Sequence, residues 1–190
     1  DTPPANYAGD FATDLAAFRG EQDVRRSIFV EMSKRSSALV ENEKSEVAVV
    51  PGAWSGFELD FSRAVVFYPL GGLTIENADF SAARFCNGSD FSGAAFVGTV
   101  DFSRTTFESS AGFGDATFAG DANFSHATFT HSADFGGASF VQNAQFDWVK
   151  FMQNAHFSEA TFTNNADFSG ATFTGSADFV EVTFTNNADF

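Results

Sequence analysis

From residue 77 on, seven aspartates each stand directly before a phenylalanine: Asp79, Asp90, Asp101, Asp134, Asp167, Asp178 and Asp189. Asp90, Asp134 and Asp178 recur on a 22-residue spacing, with Gly112 and His156 at the steps between them. Asp79, Asp101, Asp167 and Asp189, with Asn123 and Gln145, form a second series on the opposite side. Carboxylates stacked about 5 Å apart repel one another. Such columns are either a wet, solvated face or a surface for cations or a basic partner, and both readings stay open.

Other chemically capable residues are few. The three histidines, His126, His131 and His156, have no spacing that puts two on one face with a third ligand, so no metal site is expected. His156 takes an aspartate position, while His126 and His131 flank Phe129. The single cysteine, Cys86, excludes an intramolecular disulfide and a cysteine-rich zinc site. It follows Phe85, should point outward, and has no neighbouring base in sequence to make it a nucleophile. No phosphate loop, nucleophile elbow or paired-carboxylate motif is present. The expectation is a protein without catalytic residues or cofactor.

What must position these aspartates is a repeat. Of the 27 phenylalanines, 21 fall at 80, 85, 91, 96, 102, 107, 113, 118, 124, 129, 135, 140, 146, 151, 157, 162, 168, 173, 179, 184 and 190. The steps alternate five and six without exception, an 11-residue period. Two residues before each stands a small or β-branched residue, alanine at 16 of the 21 positions. A large and a small residue two apart share one side of an extended segment. Phe80, Phe85, Phe91, Phe96, Phe102, Phe107, Phe113, Phe118, Phe124, Phe129, Phe135, Phe140, Phe146, Phe151, Phe157, Phe162, Phe168, Phe173, Phe179 and Phe184 are therefore the expected core. Steps of five and six draw no stripe on a 3.6-residue helix. Ser, Gly, Asn and Asp crowd the intervening segments, as turns require.

Ala78-Asp79-Phe80-Ser81-Ala82, Ala166-Asp167-Phe168-Ser169-Gly170 and Ala177-Asp178-Phe179-Val180-Glu181 resemble the unit of the pentapeptide-repeat family. The resemblance covers residues 77–190, with weaker traces to about residue 60. It implies an all-β fold, a right-handed quadrilateral β-helix with four repeats per coil. The extra residue in every second unit lengthens the coil to 22 residues, giving about five regular coils after a short N-terminal helical segment. The resemblance also implies a possible topoisomerase partner, since some members protect DNA gyrase by imitating a DNA duplex.

Upstream, Phe11, Leu15 and Phe18, then Val24, Ile28 and Met32 after Gly20, predict two short helices or one broken at Gly20. The expected division is a loose arm (1 to about 9) and helices over 1–45, an irregular first coil over 46–76, and the solenoid over 77–190. The helices would cover the end of the core or form a dimer contact. Residues 41–46 read as a charged linker and Val47–Val50 as a strand, with Val66 in a Phe position. Asn143, Asn165 and Asn187 predict an amide ladder. The repeat reaches Phe190 in mid-unit, so further coils or end-to-end stacking on another copy is expected. The first residue, Asp1, suggests a removed leader or a trimmed chain.

A net charge of −15 argues against direct nucleic-acid binding, which needs basic patches. Apolar residues reach 44%, yet no run approaches the roughly 18 that a membrane span requires. The expected function is a non-enzymatic structural or protein-interaction module with an acidic solenoid surface and an unidentified protein partner. One alternative is a DNA-mimic regulator of gyrase or another topoisomerase. A second is an exported structural or ice-binding solenoid, suggested by the pairs Thr128 and Thr130, Thr161 and Thr163, Thr172 and Thr174, and Thr183 and Thr185, each around an inward ring. The compartment stays open.

Overall fold

A phenylalanine every five or six residues leaves room for only two or three extended residues before the chain must turn. The computed structural model, which describes residues 7–41 and 47–190, resolves this into two-residue strands such as Thr106–Phe107 and Ala111–Gly112. Each strand pairs in parallel with the one a coil away: Ala111 with Ala133, Phe118 with Phe140, Phe129 with Phe151. The fold is the expected right-handed, four-sided β-solenoid, about six turns long.

Four columns line the interior. Face 1 carries Phe61, Phe80, Phe102, Phe124, Phe146, Phe168 and Phe190. Face 2 carries Val66 and then Phe85 through Phe173. Face 3 runs from Leu70, whose amide bonds the Asp90 carbonyl, through Phe91 to Phe179. Face 4 runs from Ile75 through Phe96 to Phe184. Within a column rings lie nearly parallel, 4.5 Å and 2° for Phe107 on Phe129. Across the axis, faces 1 and 3 meet edge to face, as Phe124 does with Phe135 at 5.5 Å and 90°. These are the two favoured aromatic geometries, so one ring shape satisfies both directions of packing.

The first coil is shorter than those that follow. The strands β3 (Leu59–Asp60) and β4 (Val65–Val66) pair with residues only 19 positions on, Leu59 with Ala78 and Val66 with Phe85. The strand β5 (Thr74–Asp79) restores the 22-residue step through an irregularity between Glu76 and Ala78.

Before the solenoid, α1 (Tyr7–Ser33) is one continuous helix, so Gly20 breaks nothing. A single interior glycine costs only about 1 kcal/mol and leaves the backbone ladder intact. The buried side also differs from the expected stripe. Val24 and Ile28 are exposed, whereas Phe29 is buried against Phe61 and Tyr68 at the start of the core. The hairpin of β1 (Ala38–Glu41) and β2 (Val47–Val50) follows; β2 was expected and β1 was not. Residues 1–6 of the expected arm and 42–46 of the expected linker lie outside the described residues, and Tyr7 already begins the helix.

A polar latch ties this segment to the first coil. The buried Glu76 carboxylate accepts bonds from the Ser37 amide and hydroxyl, both 2.9 Å. The Thr74 amide donates to Ser33 Oγ at 2.8 Å. Removing the hydroxyl leaves a buried carboxylate oxygen short of a donor. Ser37→Ala is therefore expected to cost about 1–3 kcal/mol in denaturant unfolding; an unchanged midpoint would remove the latch from the account.

Candidate interaction surface

Most of the solenoid aspartates before a ring have a local task that charge conceals. The carboxylate accepts the amide two residues on: Ser81 to Asp79 and Ser103 to Asp101 at 2.7 Å, Ser169 to Asp167 at 2.8 Å, Ser92 to Asp90 and Gly136 to Asp134 at 2.9 Å. These Asx turns fold the chain over the corner. Asn123 does the same for Ser125 at 2.9 Å, so an amide serves as well as a carboxylate.

After faces 1 and 3 the corner needs a left-handed residue two positions past the ring. Glycine fills it at Gly72, Gly93, Gly137 and Gly170, while Arg63, Ala82, Arg104, Asp115, His126, Trp148, Glu159 and Glu181 adopt φ of 55–61°. Side chains there are thrown outward at the corners. The sequence reading missed this set; aligning the chain at 22 residues would have put Trp148 and His126 in register with Gly170.

The two aspartate columns sit on opposite faces but are unlike. On face 3 the pairing order is Asp90, Gly112, Asp134, His156, Asp178, so no two carboxylates adjoin. His156 bridges Asp134 at 2.9 Å and Asp178 at 3.5 Å. The Val180 amide, then the Ser158 hydroxyl and His156, hold the Asp178 carboxyl below its usual range.

On face 1, Asp60, Asp79 and Asp101 are direct neighbours, as are Asp167 and Asp189. They border a groove along the corner between faces 4 and 1. Its first recess, about 430 Å³, is lined by Glu58, Asp60, Asp79, Asp101, Asn77 and Thr99. It continues past Asp121, Asn123, Asn143 and Gln145 to Asn165, Asp167, Asn187 and Asp189. Seven carboxylates line it, and no lysine, arginine or histidine does.

The remaining candidates resolve as structure. Cys86 is half-buried and donates to Glu108 Oε2 at 3.1 Å. Burial, then this bond, pushes its thiol up, away from the thiolate a nucleophile needs. Glu108 also pairs with Arg84. His131 meets its neighbour Thr130 at 3.0 Å, and His126 lies parallel to Trp148. The amide ladder runs through Gln142, Asn164 and Asn186, one position before the expected one, while Asn143 donates to Asp121. Beside the rings of face 2 the order Arg84, Thr106, Thr128, Lys150, Thr172 presents no unbroken threonine array. Among the described residues no group of three or more His, Cys, Asp or Glu could hold a metal ion, and no helix is long and apolar enough to cross a membrane.

The family described as Pentapeptide repeats (9 copies) matches residues 98–139, 124–172 and 146–190. No curated protein matches the chain. The matched span, 98–190, lies within the run of coils in which the phenylalanine columns, the Asx turns and the 22-residue pairing are regular. The chain is a pentapeptide-repeat protein.

Proposed function

We propose that this chain is a non-catalytic interaction module whose working surface is the acidic groove of face 1. The observation that carries the reading is the groove itself: a concave track with seven carboxylates and no cationic lining. Asx turns already give Asp60, Asp79, Asp101 and Asp167 their local role, and an amide fills that role at Asn123. The surplus negative charge is therefore not required by the turns, and it suits a partner that presents lysine or arginine along a line. Rings packed across the axis leave no interior room for a substrate, so binding must occur on the outer surface.

Capture from native lysate tests this with two triple variants. Asp79→Asn, Asp101→Asn, Asp167→Asn removes three of the seven groove charges and keeps the turns; Asp90→Asn, Asp134→Asn, Asp178→Asn removes the three of face 3. The partner is expected to be lost from the first and kept by the second. Equal retention on both would make the aspartates a solvated surface only. A topoisomerase in the groove-dependent catch would favour the DNA-mimic reading.

A further inference from the structure

Beyond residue 50 the chain has only four lysines and arginines: Arg63, Arg84, Arg104 and Lys150. All four lie at or beside one edge, the left-handed corner between faces 1 and 2. That corner reads Arg63, Ala82, Arg104, His126, Trp148, Gly170 from coil to coil. Where the corner residue is Ala82 or Trp148, the cation stands two residues on, as Arg84 and Lys150. Every coil from the first to the fifth thus places one nitrogen base on this edge. Arg84 is paired with Glu108, whereas Arg63, Arg104 and Lys150 form no ion pair among the described residues. Trp148 is 61% exposed, and its indole lies against Gly170, where a Cβ would come within 3.0 Å.

Face 1 is therefore polarised across its width, cationic along one edge and carboxylate-lined along the other. Both ladders repeat with the coil rise of about 4.8 Å. An extended peptide offers same-side groups about 6.6–6.8 Å apart and falls out of step within a few coils. A second solenoid of this sequence stays in step.

We propose that two copies of this chain pair side by side through face 1, the cationic edge of each over the acidic groove of the other. A two-fold axis parallel to the solenoids accomplishes this and keeps coil level with coil. Arg63 then meets the partner's Asp60, and Arg104 meets the partner's Asp101. On the fourth and fifth coils the face 1 position opposite the edge is an amide: His126 faces the partner's Asn123, and Trp148 faces the partner's Gln145. A large exposed ring opposite an uncharged amide is the arrangement of an interface anchor. This pairing rests on the groove being a cation-binding surface and names its occupant.

Sedimentation velocity at about 0.15 M salt tests it, because the Debye length there, about 8 Å, screens carboxylates on the outer faces more than close pairs. An edge variant carries Arg63→Glu and Arg104→Glu; glutamate already occupies this kind of corner at Glu159 and Glu181. A groove variant carries Glu58→Lys and Thr99→Lys, with Asp60→Asn and Asp101→Asn retaining the turns. Circular dichroism melts check that both fold. The wild-type chain is expected to dimerise with rising concentration, and each variant alone to associate at least tenfold more weakly. A one-to-one mixture of the variants is expected to restore the dimer, since both contacts are then complementary. A wild-type monomer up to about 0.5 mM, where even a small interface would be populated, overturns the proposal. So does a variant that dimerises like the wild type, or a mixture that does not recover. A monomer that still binds an arginine peptide through its groove sinks the pairing and leaves the groove reading intact.

Discussion

Phe135→Ala is expected to destabilise the solenoid by about 3–5 kcal/mol, the range for emptying a fully buried aromatic site. Phe135 is completely enclosed. It stacks on Phe113 at 4.8 Å and 1° and on Phe157 at 4.9 Å and 3°, with Phe124 and Phe146 edge-on at 5.5 and 5.4 Å. The coils above and below are pinned by parallel ladders, so they cannot collapse into the space. Phe57, 61% exposed, provides the internal contrast: its truncation is expected to cost under about 1 kcal/mol, because little of the ring is removed from water. Denaturant unfolding of both variants measures the difference. Equal losses would mean that the rings do not act as a continuous column.

Gly120→Ala is the second large effect. A Cβ at Gly120 would lie 2.1 Å from the carbonyl oxygen of Gly98 and 2.3 Å from its carbon. Both obstacles are backbone in the neighbouring coil, which carries its own inter-coil hydrogen bonds. Relief requires the coils to part locally, and overpacking of this kind costs about 1–3 kcal/mol or more. Gly93 separates this from conformational strain. It has φ +63° but open space around its Cβ position, so Gly93→Ala carries only the left-handed penalty of about 1–2 kcal/mol. Thermal melts of the two variants should show the Gly120 substitution as the larger loss; the reverse order would contradict the close approach at that corner.

The solenoid was legible because its determinant is local and periodic. Phe–Ala spacing names the inward positions, and alternating steps of five and six set the 22-residue coil that the pairing of Ala111 with Ala133 reproduces. What escaped is non-local or disguised. The helix shows apolar residues at Val24 and Ile28, yet these are exposed and Phe29 is buried, because the end of a coil selects the side it meets. The strand β1 is too short to stand out without its partner β2. The left-handed corners carry Arg, His, Trp and Glu at several coils, which removes the Gly or Asn signal by which such turns are found. The aspartates were read by charge alone, although the sequences Asp79-Phe80-Ser81 and Asn123-Phe124-Ser125 hold the spacing of an Asx turn. Their shared local role, and the difference between a bridged face 3 and a grooved face 1, emerges only when the coils are stacked.

Titration of an arginine-rich peptide into the wild-type chain and the two aspartate-to-asparagine triple variants tests the central claim most directly. Loss of three of the groove's seven carboxylates is expected to weaken binding at least tenfold, about 1.4 kcal/mol. The face 3 variant is expected to bind like the wild type, since its carboxylates are separated by Gly112 and bridged by His156. Equal weakening by both variants would show a response to net charge alone, and would contradict a working groove on face 1.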